Sequence, residues 1–356
     1  MTTTPFADPT PAPSKRSKLD QDPLVKNGRY YLPHPDTGEK SYFTRATTVA
    51  KTLPDLFNVN QWEKRVIVKG MAMSPELVMA AGPIPLDDDR QHKKDLQDIA
   101  YRAKERAGGN EGSTRGKAFH TLTEIVDRGE PIPIGTSPDH VKQLKLYRES
   151  LDGIGAVVHP AWMERLVWNR EFGIVGRTDR ALLVDPEKLL DEGRNRYIRP
   201  GASASIIGDV KSQKSMDFGC MDIGVQLAIY AHADLTWNEE TLEWEEPDIE
   251  LNRDVAVVMH VPSNDSNVAD IHVIDIARGW ELVQVAMEVR AARKETLNRK
   301  LERPGGNDWG RAIMNATTKQ ELSRIWSEAN AAGEWTDKLL ELGKARQAEI
   351  EKGEAA

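Results

Sequence analysis

The chain has 356 residues, 39% of them hydrophobic, which is enough for one large domain with additions or for two domains. Its single cysteine, Cys220, excludes a disulfide framework and any four-thiolate zinc or iron–sulfur site, and it fits a reducing cytoplasmic compartment. With 48 basic and 56 acidic residues the formal charge is −8, so a nucleic-acid surface has to be a local basic patch, and no apolar run approaches the roughly 18 residues of a membrane span.

No signal peptide is expected, because the N-terminus lacks a basic segment leading into an apolar one. Residues 1–24 are rich in Thr, Pro and Asp and predict a disordered tail. RYYLPHPDTGEKSYFT (29–44) reads as two aromatic-rich strands around a PDTG turn. From 44 to 73 the apolar spacing is helical, with Val49, Leu53, Leu56, Trp62 and Val66 expected to be buried. The charged stretch 86–109 reads as a solvated helix ending at Gly108–Gly109. Residues 25–113 are therefore expected to form an N-terminal hairpin and helical region.

At 114 the pattern becomes mixed. TRGKAFHTLTEIVDRG (114–129) predicts a helix stopped by Gly129, with Ala118, Leu122 and Ile125 or Val126 on its buried side. WMERLVWN and GIVGRTDRALLVD (162–185) predict two strands around a tight turn at Glu171–Gly173, followed by a polar excursion over 185–204. Strand SIIGDVKS, a helix over 219–237, strands over 254–262 and 270–276 and a long helix over 277–301 follow. This alternation predicts an α/β fold with a mixed central sheet flanked by helices over 114–301. Residues 302–308 read as a linker, and the remainder to 356 as a helical addition in which Thr318 and Glu321 are spaced for a capping box. There is no internal repeat.

Four short stretches carry the chemistry. In GDVKS, side-chain alternation puts Asp209 and Lys211 on one face of the strand and sends Val210 to the other, toward the core with Ile207. Taken alone, a carboxylate and an ammonium side by side read first as a surface ion pair at a strand end, and only with other motifs as groups for a hard divalent cation and an attacking water. In GIVGRTDRALLV, Asp179 falls inside an apolar strand. A buried carboxylate there costs on the order of 2 kcal/mol or more unless a cation meets it, or Arg177 or Arg180 pairs with it. Gln226 and Tyr230, four apart in QLAIY, share one helix face and read as groups that hold a backbone phosphate or as an ordinary polar face. In RGKAFHTLTE, His120 follows basic Arg115 and Lys117 and has Glu124 one turn later. The other histidines, His34, His92, His140, His159, His232, His260 and His272, are read as structural.

In order, residue type and context this set resembles the RecB-type branch of the PD-(D/E)XK nuclease superfamily, in a phage-encoded, exonuclease-like form. The resemblance spans roughly residues 114–235. The chain lacks the four cysteines of the cluster-bearing members of that branch. It also lacks a phosphate-binding P-loop, because in GGNEGSTRGKA Glu111 replaces the first glycine and Ala118 the hydroxyl residue. The resemblance implies a restriction-endonuclease-like fold and a metal-dependent DNA exonuclease of end processing or phage recombination, working in a bacterial host's cytoplasm. Asp179, Asp209, the Val210 carbonyl and His120 would hold Mg²⁺ or Mn²⁺, with Lys211 as the catalytic lysine and Gln226 and Tyr230 near the DNA backbone. Glu124 would be a supporting acid, and Glu164 matches an acidic position before the Asp179 strand. Arg115, Lys117, Arg177, Arg180, Lys214 and the run Arg194, Arg196, Arg199 would form the basic strip that DNA needs, although that run reads equally as a solvated loop. The partner is DNA; the resemblance also admits a single-strand annealing recombination protein and a homo-oligomeric ring. A structure-specific or single-strand endonuclease on the same site, and a DNA-binding or interaction module without turnover, are the competing readings.

Overall fold

In the computed structural model, which describes residues 23–217, 219–295 and 308–354, the chain divides between Lys294 and Glu295 into a large α/β unit and a small helical one. The large unit opens with an antiparallel sheet of β1 (Val25–Lys26), β2 (Arg29–Pro33) and β3 (Lys40–Tyr42). The expected hairpin is β2–β3, closed by hydrogen bonds between His34 and both Gly38 and Glu39. Leu24, assigned above to the tail, is instead packed beside Tyr30 and Leu32, and its carbonyl accepts from the Tyr31 amide. The rest of that expectation, residues 1–22, lies outside the described residues.

Next come β4 (Thr44–Arg45) and α1 (Ala46–Ala50), then α2 (Phe57–Ala72), α3 (Pro75–Ala81) and α4 (Arg90–Arg106). Val49 is buried as expected, but Leu56 and Trp62 are 44% and 41% exposed. The helical period is right and its phase is off by one residue: Ile67 and Met71, not Val66, pack on Ile99 and Ala103 of α4. Trp62 instead lies under the Lys104 ammonium. α4 starts after 86 because Asp89 caps it, accepting from the Gln91 and His92 amides.

The chain continues through α5 (Glu111–Asp127), α6 (Pro138–Gly153), β5 (Val157–Val158), β6 (Leu166–Asn169), β7 (Ile174–Arg177), β8 (Arg180–Leu183) and β9 (Ser205–Lys211). It then runs through α7 (Cys220–Ala231), β10 (Leu235–Asn238), β11 (Glu243–Glu245), β12 (Val255–His260), β13 (Asp270–Asp275) and α8 (Ile276–Ala292). The α/β architecture with mixed sheets and flanking helices is as expected. In place of one central sheet there are two of five strands, ordered β11–β10–β6–β7–β4 and β13–β12–β9–β8–β5. Each is mixed: β4 and β7 run parallel, as do β9 and β12, and the other pairs are antiparallel. The expected helix over 219–237 stops at Ala231, and Leu235–Asn238 goes into β10, where Thr236 and Trp237 are buried. The part of the long helix expected beyond 295, and the linker up to 307, lie outside the described residues; Asp308 already caps the next helix.

The strand expected over 173–185 is two strands in two sheets. The chain leaves β7 at Arg177 and enters β8 at Arg180. Thr178 N to Arg165 O (2.8 Å) and Glu164 N to Asp179 O (3.0 Å) carry the pairing across the break. Asp179 therefore occupies the joint between sheets rather than the interior of an apolar strand. β9 is buried on both faces: Ile207 packs with Val225 and Tyr230, whereas Ile206 and Val210 pack with Phe119, Leu144 and Tyr147. Val210 therefore does not share a face with Ile207, as their odd spacing requires. On α5 the buried positions are Phe119, Thr123 and Glu124, while Ala118 is exposed.

The small unit holds α9 (Trp309–Asn315), α10 (Lys319–Ala331) and α11 (Asp337–Glu354), packed around Ile313, Ile325 and Ala329. The Thr318–Glu321 capping box is present. No helix among the described residues is long and apolar enough to cross a membrane.

Candidate active site

Around the sheet joint and the end of β9, six acidic and basic groups from separate parts of the chain come together. Asp209 and Lys211 project from the same face of β9, with Lys211 Nζ 2.6 Å from Asp209 Oδ2. Asp179 comes in from the β7–β8 joint, where its Oδ2 accepts from the Val210 amide at 3.0 Å. His120 reaches across from α5: its Nε2 lies 2.8 Å from Asp179 Oδ2 and its Nδ1 2.9 Å from Glu124 Oε1. Glu164 Oε1 is 3.8 Å from the same Nδ1. Glu164 adopts a left-handed backbone (φ 53°), uncommon for a residue with a side chain and a recurrent feature of functional sites.

Two glycines lie where the supporting elements approach closely. A Cβ at Gly116 would lie 2.3 Å from Ser212 Oγ, so with a larger residue there the serine hydroxyl would have to turn aside for the helix turn before His120 to meet the end of β9. A Cβ at Gly176 would lie 2.4 Å from Tyr230 Cε1 and 2.8 Å from Ala46 Cβ, both fixed in the core. Gly176→Ala is expected to destabilise the large unit by about 1–3 kcal/mol and displace Tyr230, read as a lower urea midpoint at an unchanged denaturant slope. A midpoint equal to that of the unaltered chain would contradict the packing described for Tyr230.

The electrostatics follow from placing several carboxylates out of water. Burial works against charge on His120, but Asp179 and the hydrogen bonds to Asp179 and Glu124 outweigh it and raise the imidazole to about 10. Burial also disfavours an ionised Asp179, yet the charges of His120 and Lys211 hold its carboxyl well below the usual range. Asp209 is the exception: burial and the neighbouring Asp179 charge prevail over Lys211 and raise it to about 6. Lys211 is desolvated too, but Asp209 and Asp179 keep it firmly protonated. Asp209 Oδ2 is buried, and the ammonium it meets is that of Lys211, 2.6 Å away. The buried Asp209 carboxylate beside Asp179, with Glu124 and Glu164 nearby, is a hard oxygen donor set of the kind that holds Mg²⁺ or Mn²⁺. His120, Glu124 and Glu164 offer donor atoms within 4.8 Å of one another. In this arrangement His120 supplies the positive charge that a metal would otherwise bring.

Gln226 and Tyr230, with Asp179, Glu124 and Glu164, line a cleft of about 780 Å³, and Gln226 Nε2 donates to the Tyr230 hydroxyl at 3.0 Å. Burial pushes the Tyr230 phenol well up, so it stays protonated. Arg45 also lines the cleft and was not singled out from the sequence. A two-residue strand pairing in parallel with β7 leaves no periodic signal that could have found it.

The expected basic strip is only partly present. Arg115, Lys117 and Lys214 are exposed. Arg180 is fully buried and forms an ion pair with Asp127, so it cannot face DNA. Arg177 donates to the Glu164 carbonyl (2.7 Å) and to Glu239 (3.0 Å). Neither arginine is the partner of Asp179, because His120 has that place. Arg196 and Arg199 pair with Glu187 and Asp254, which supports the solvated-loop reading of that run.

Comparison with protein-family models and with curated proteins returns no match for this chain.

Proposed function

We propose that this chain is a divalent-cation-dependent deoxyribonuclease of the RecB-type PD-(D/E)XK class, acting as an exonuclease at DNA ends in end processing or phage recombination. What supports the reading is the convergence of Asp179, Asp209, Lys211, His120 and Glu124, drawn from separate elements, on one cluster in which two aspartates, Asp209 buried and Asp179 half-buried, sit side by side next to the Lys211 ammonium. Asp179, Asp209 and the Val210 carbonyl, with His120 once it has released its proton, would hold Mg²⁺ or Mn²⁺. A bound divalent cation lowers the pKa of its water and offsets charge on the phosphate. Lys211 stays protonated between the two aspartates, which suits it to orient the attacking water and to stabilise negative charge on the reacting phosphate. The Tyr230 hydroxyl accepts from Gln226 and keeps its own proton to donate to a phosphate oxygen in the cleft. Arg45 lines that cleft, and Arg115, Lys117 and Lys214 would grip phosphates nearby without reading sequence. A single-strand annealing protein and further copies of the chain are the partners such an enzyme would take.

Asp209 must be ionised to hold the cation, and its carboxyl titrates near 6. His120 must also give up its proton, and its imidazole is raised to about 10, so apparent Mg²⁺ affinity is expected to weaken about tenfold per pH unit from 8 down to 6 and about a hundredfold per unit below 6, as first one and then two protons compete for the site. Calorimetric Mg²⁺ titrations between pH 5 and 8 measure this, and a slope that does not steepen below pH 6 speaks against Asp209 as a ligand. The reading itself is tested by incubating linear duplex DNA with Mg²⁺. Progressive degradation that stops in the presence of a chelator is expected; DNA bound but left intact with Mg²⁺ or Mn²⁺ would favour a module without turnover.

A further inference from the structure

The geometry points to a second cation site, separate from the cleft, at the end of the β12–β13 hairpin: His260, Asp270 and His272 form a site for a borderline divalent ion, Zn²⁺ above all. The antiparallel register sets His260 opposite Asp270 and His272 opposite Val258, so the three side chains lie on one face of the hairpin as direct and diagonal neighbours. One donor atom from each residue lies within 4.8 Å of the others. The two imidazoles stand edge to face with centres 5.5 Å apart. Bonds of about 2.0–2.2 Å to one tetrahedral ion put donor atoms roughly 3.3–3.5 Å apart. Asp270 is exposed, so its side chain can turn to close the remaining gap.

Two details distinguish this cluster from a chance meeting of polar residues. His260 Nε2 lies 2.8 Å from the Gln213 carbonyl. A carbonyl only accepts, so Nε2 carries the hydrogen and Nδ1 keeps the lone pair. A metal-bound histidine is fixed by the same outer hydrogen bond. His272 Nε2, in turn, is buried and has no hydrogen-bond partner. No hydrogen bond joins Asp270 to either ring, so a carboxylate and two imidazoles face one another with nothing between them.

The donor set separates the two sites chemically. Two imidazoles and one carboxylate, with water completing the shell, suit Zn²⁺, whereas the oxygen-rich cleft around Asp179 and Asp209 suits Mg²⁺ or Mn²⁺. The parallel register of β9 and β12 pairs Lys211 with His260, which places the second site one strand away from Lys211 on the same side of the sheet. Through Gln213 and Asp270, an ion there would tie the loop after β9 to the edge strand β13.

The proposal does not rest on the nuclease reading and is tested without a DNA substrate. The full chain, stripped with chelator, is dialysed against Zn²⁺ in excess Mg²⁺; its metal content is measured by mass spectrometry and its thermal midpoint is recorded. One Zn²⁺ per chain and a raised midpoint are expected. Both effects should survive in Asp209→Asn and fall away in His272→Gln and Asp270→Asn, with affinity at least 100-fold weaker. Asp270 is exposed, so Asp270→Asn gives a folded protein even if His272→Gln does not. Unchanged Zn²⁺ content in Asp270→Asn, no zinc bound by the unaltered chain, or loss of zinc in Asp209→Asn alone would each overturn the assignment.

Discussion

Arg180→Ala is expected to destabilise the large unit by about 3–5 kcal/mol, the largest stability effect of any single change considered for this chain. The Arg180 side chain is fully buried, and its guanidinium binds the Asp127 carboxylate, the Tyr147 hydroxyl and, at 3.1 Å, Thr123 Oγ1. Removing it leaves a carboxylate that is 1% exposed without its cation. Burial already pushes the Asp127 carboxyl up with Arg180 in place, so the loss drives it toward the neutral form. Arg180→Met combined with Asp127→Leu removes both charges and is expected to recover most of the loss, because the desolvation cost disappears with the pair. Urea unfolding at constant slope measures both. A loss below about 1 kcal/mol in Arg180→Ala would mean that the network contributes little to the joint between the sheets.

Asp209→Asn is expected to reduce Mg²⁺-dependent cleavage by at least about 100-fold while leaving the fold intact, since the change is nearly isosteric. Asp209 is 1% exposed and lies beside a second carboxylate, Asp179, an arrangement that a divalent cation would relieve and that Lys211 only partly offsets. Removing its charge should even relieve repulsion with Asp179, the second cause of its raised titration. Unfolding and Mg²⁺ titration of the variant separate the two outcomes. A stable protein that no longer binds Mg²⁺ fits the account, whereas undiminished Mg²⁺ affinity removes Asp209 from the site.

Sequence pattern and structure agree most closely where the argument is local. Alternation along β9 put Asp209 and Lys211 on one face, and they meet there at 2.6 Å. The Ser/Thr-x-x-Glu spacing at Thr318 became a capping box. The comparable start signal at Ser137–Pro138, whose hydroxyl accepts from the His140 amide, went unused, and α6 was not anticipated. What no local pattern carries is the break between β7 and β8. It depends on pairing with Glu164–Arg165 across the sheet, and it turns Asp179 from a strand residue into the corner of the site. Arg180 was misread for the same reason. Next to Asp179 it reads as that carboxylate's partner or as part of a DNA-facing strip, and its partners Tyr147 and Asp127 are 33 and 53 residues away. His120 could be singled out because its helix spacing to Glu124 is local; its bond to Asp179 crosses the molecule.

Hydrolysis of DNA from its ends is the activity proposed for the Asp179–Asp209–Lys211 site. Its most direct test is the digestion of end-labelled linear DNA and covalently closed circular DNA with Mg²⁺, the unaltered chain beside Lys211→Ala. The account predicts release of label from linear DNA by the unaltered chain, no attack on circles, and a rate for Lys211→Ala lower by about 100-fold or more. Equal digestion of linear DNA by the two proteins would contradict it.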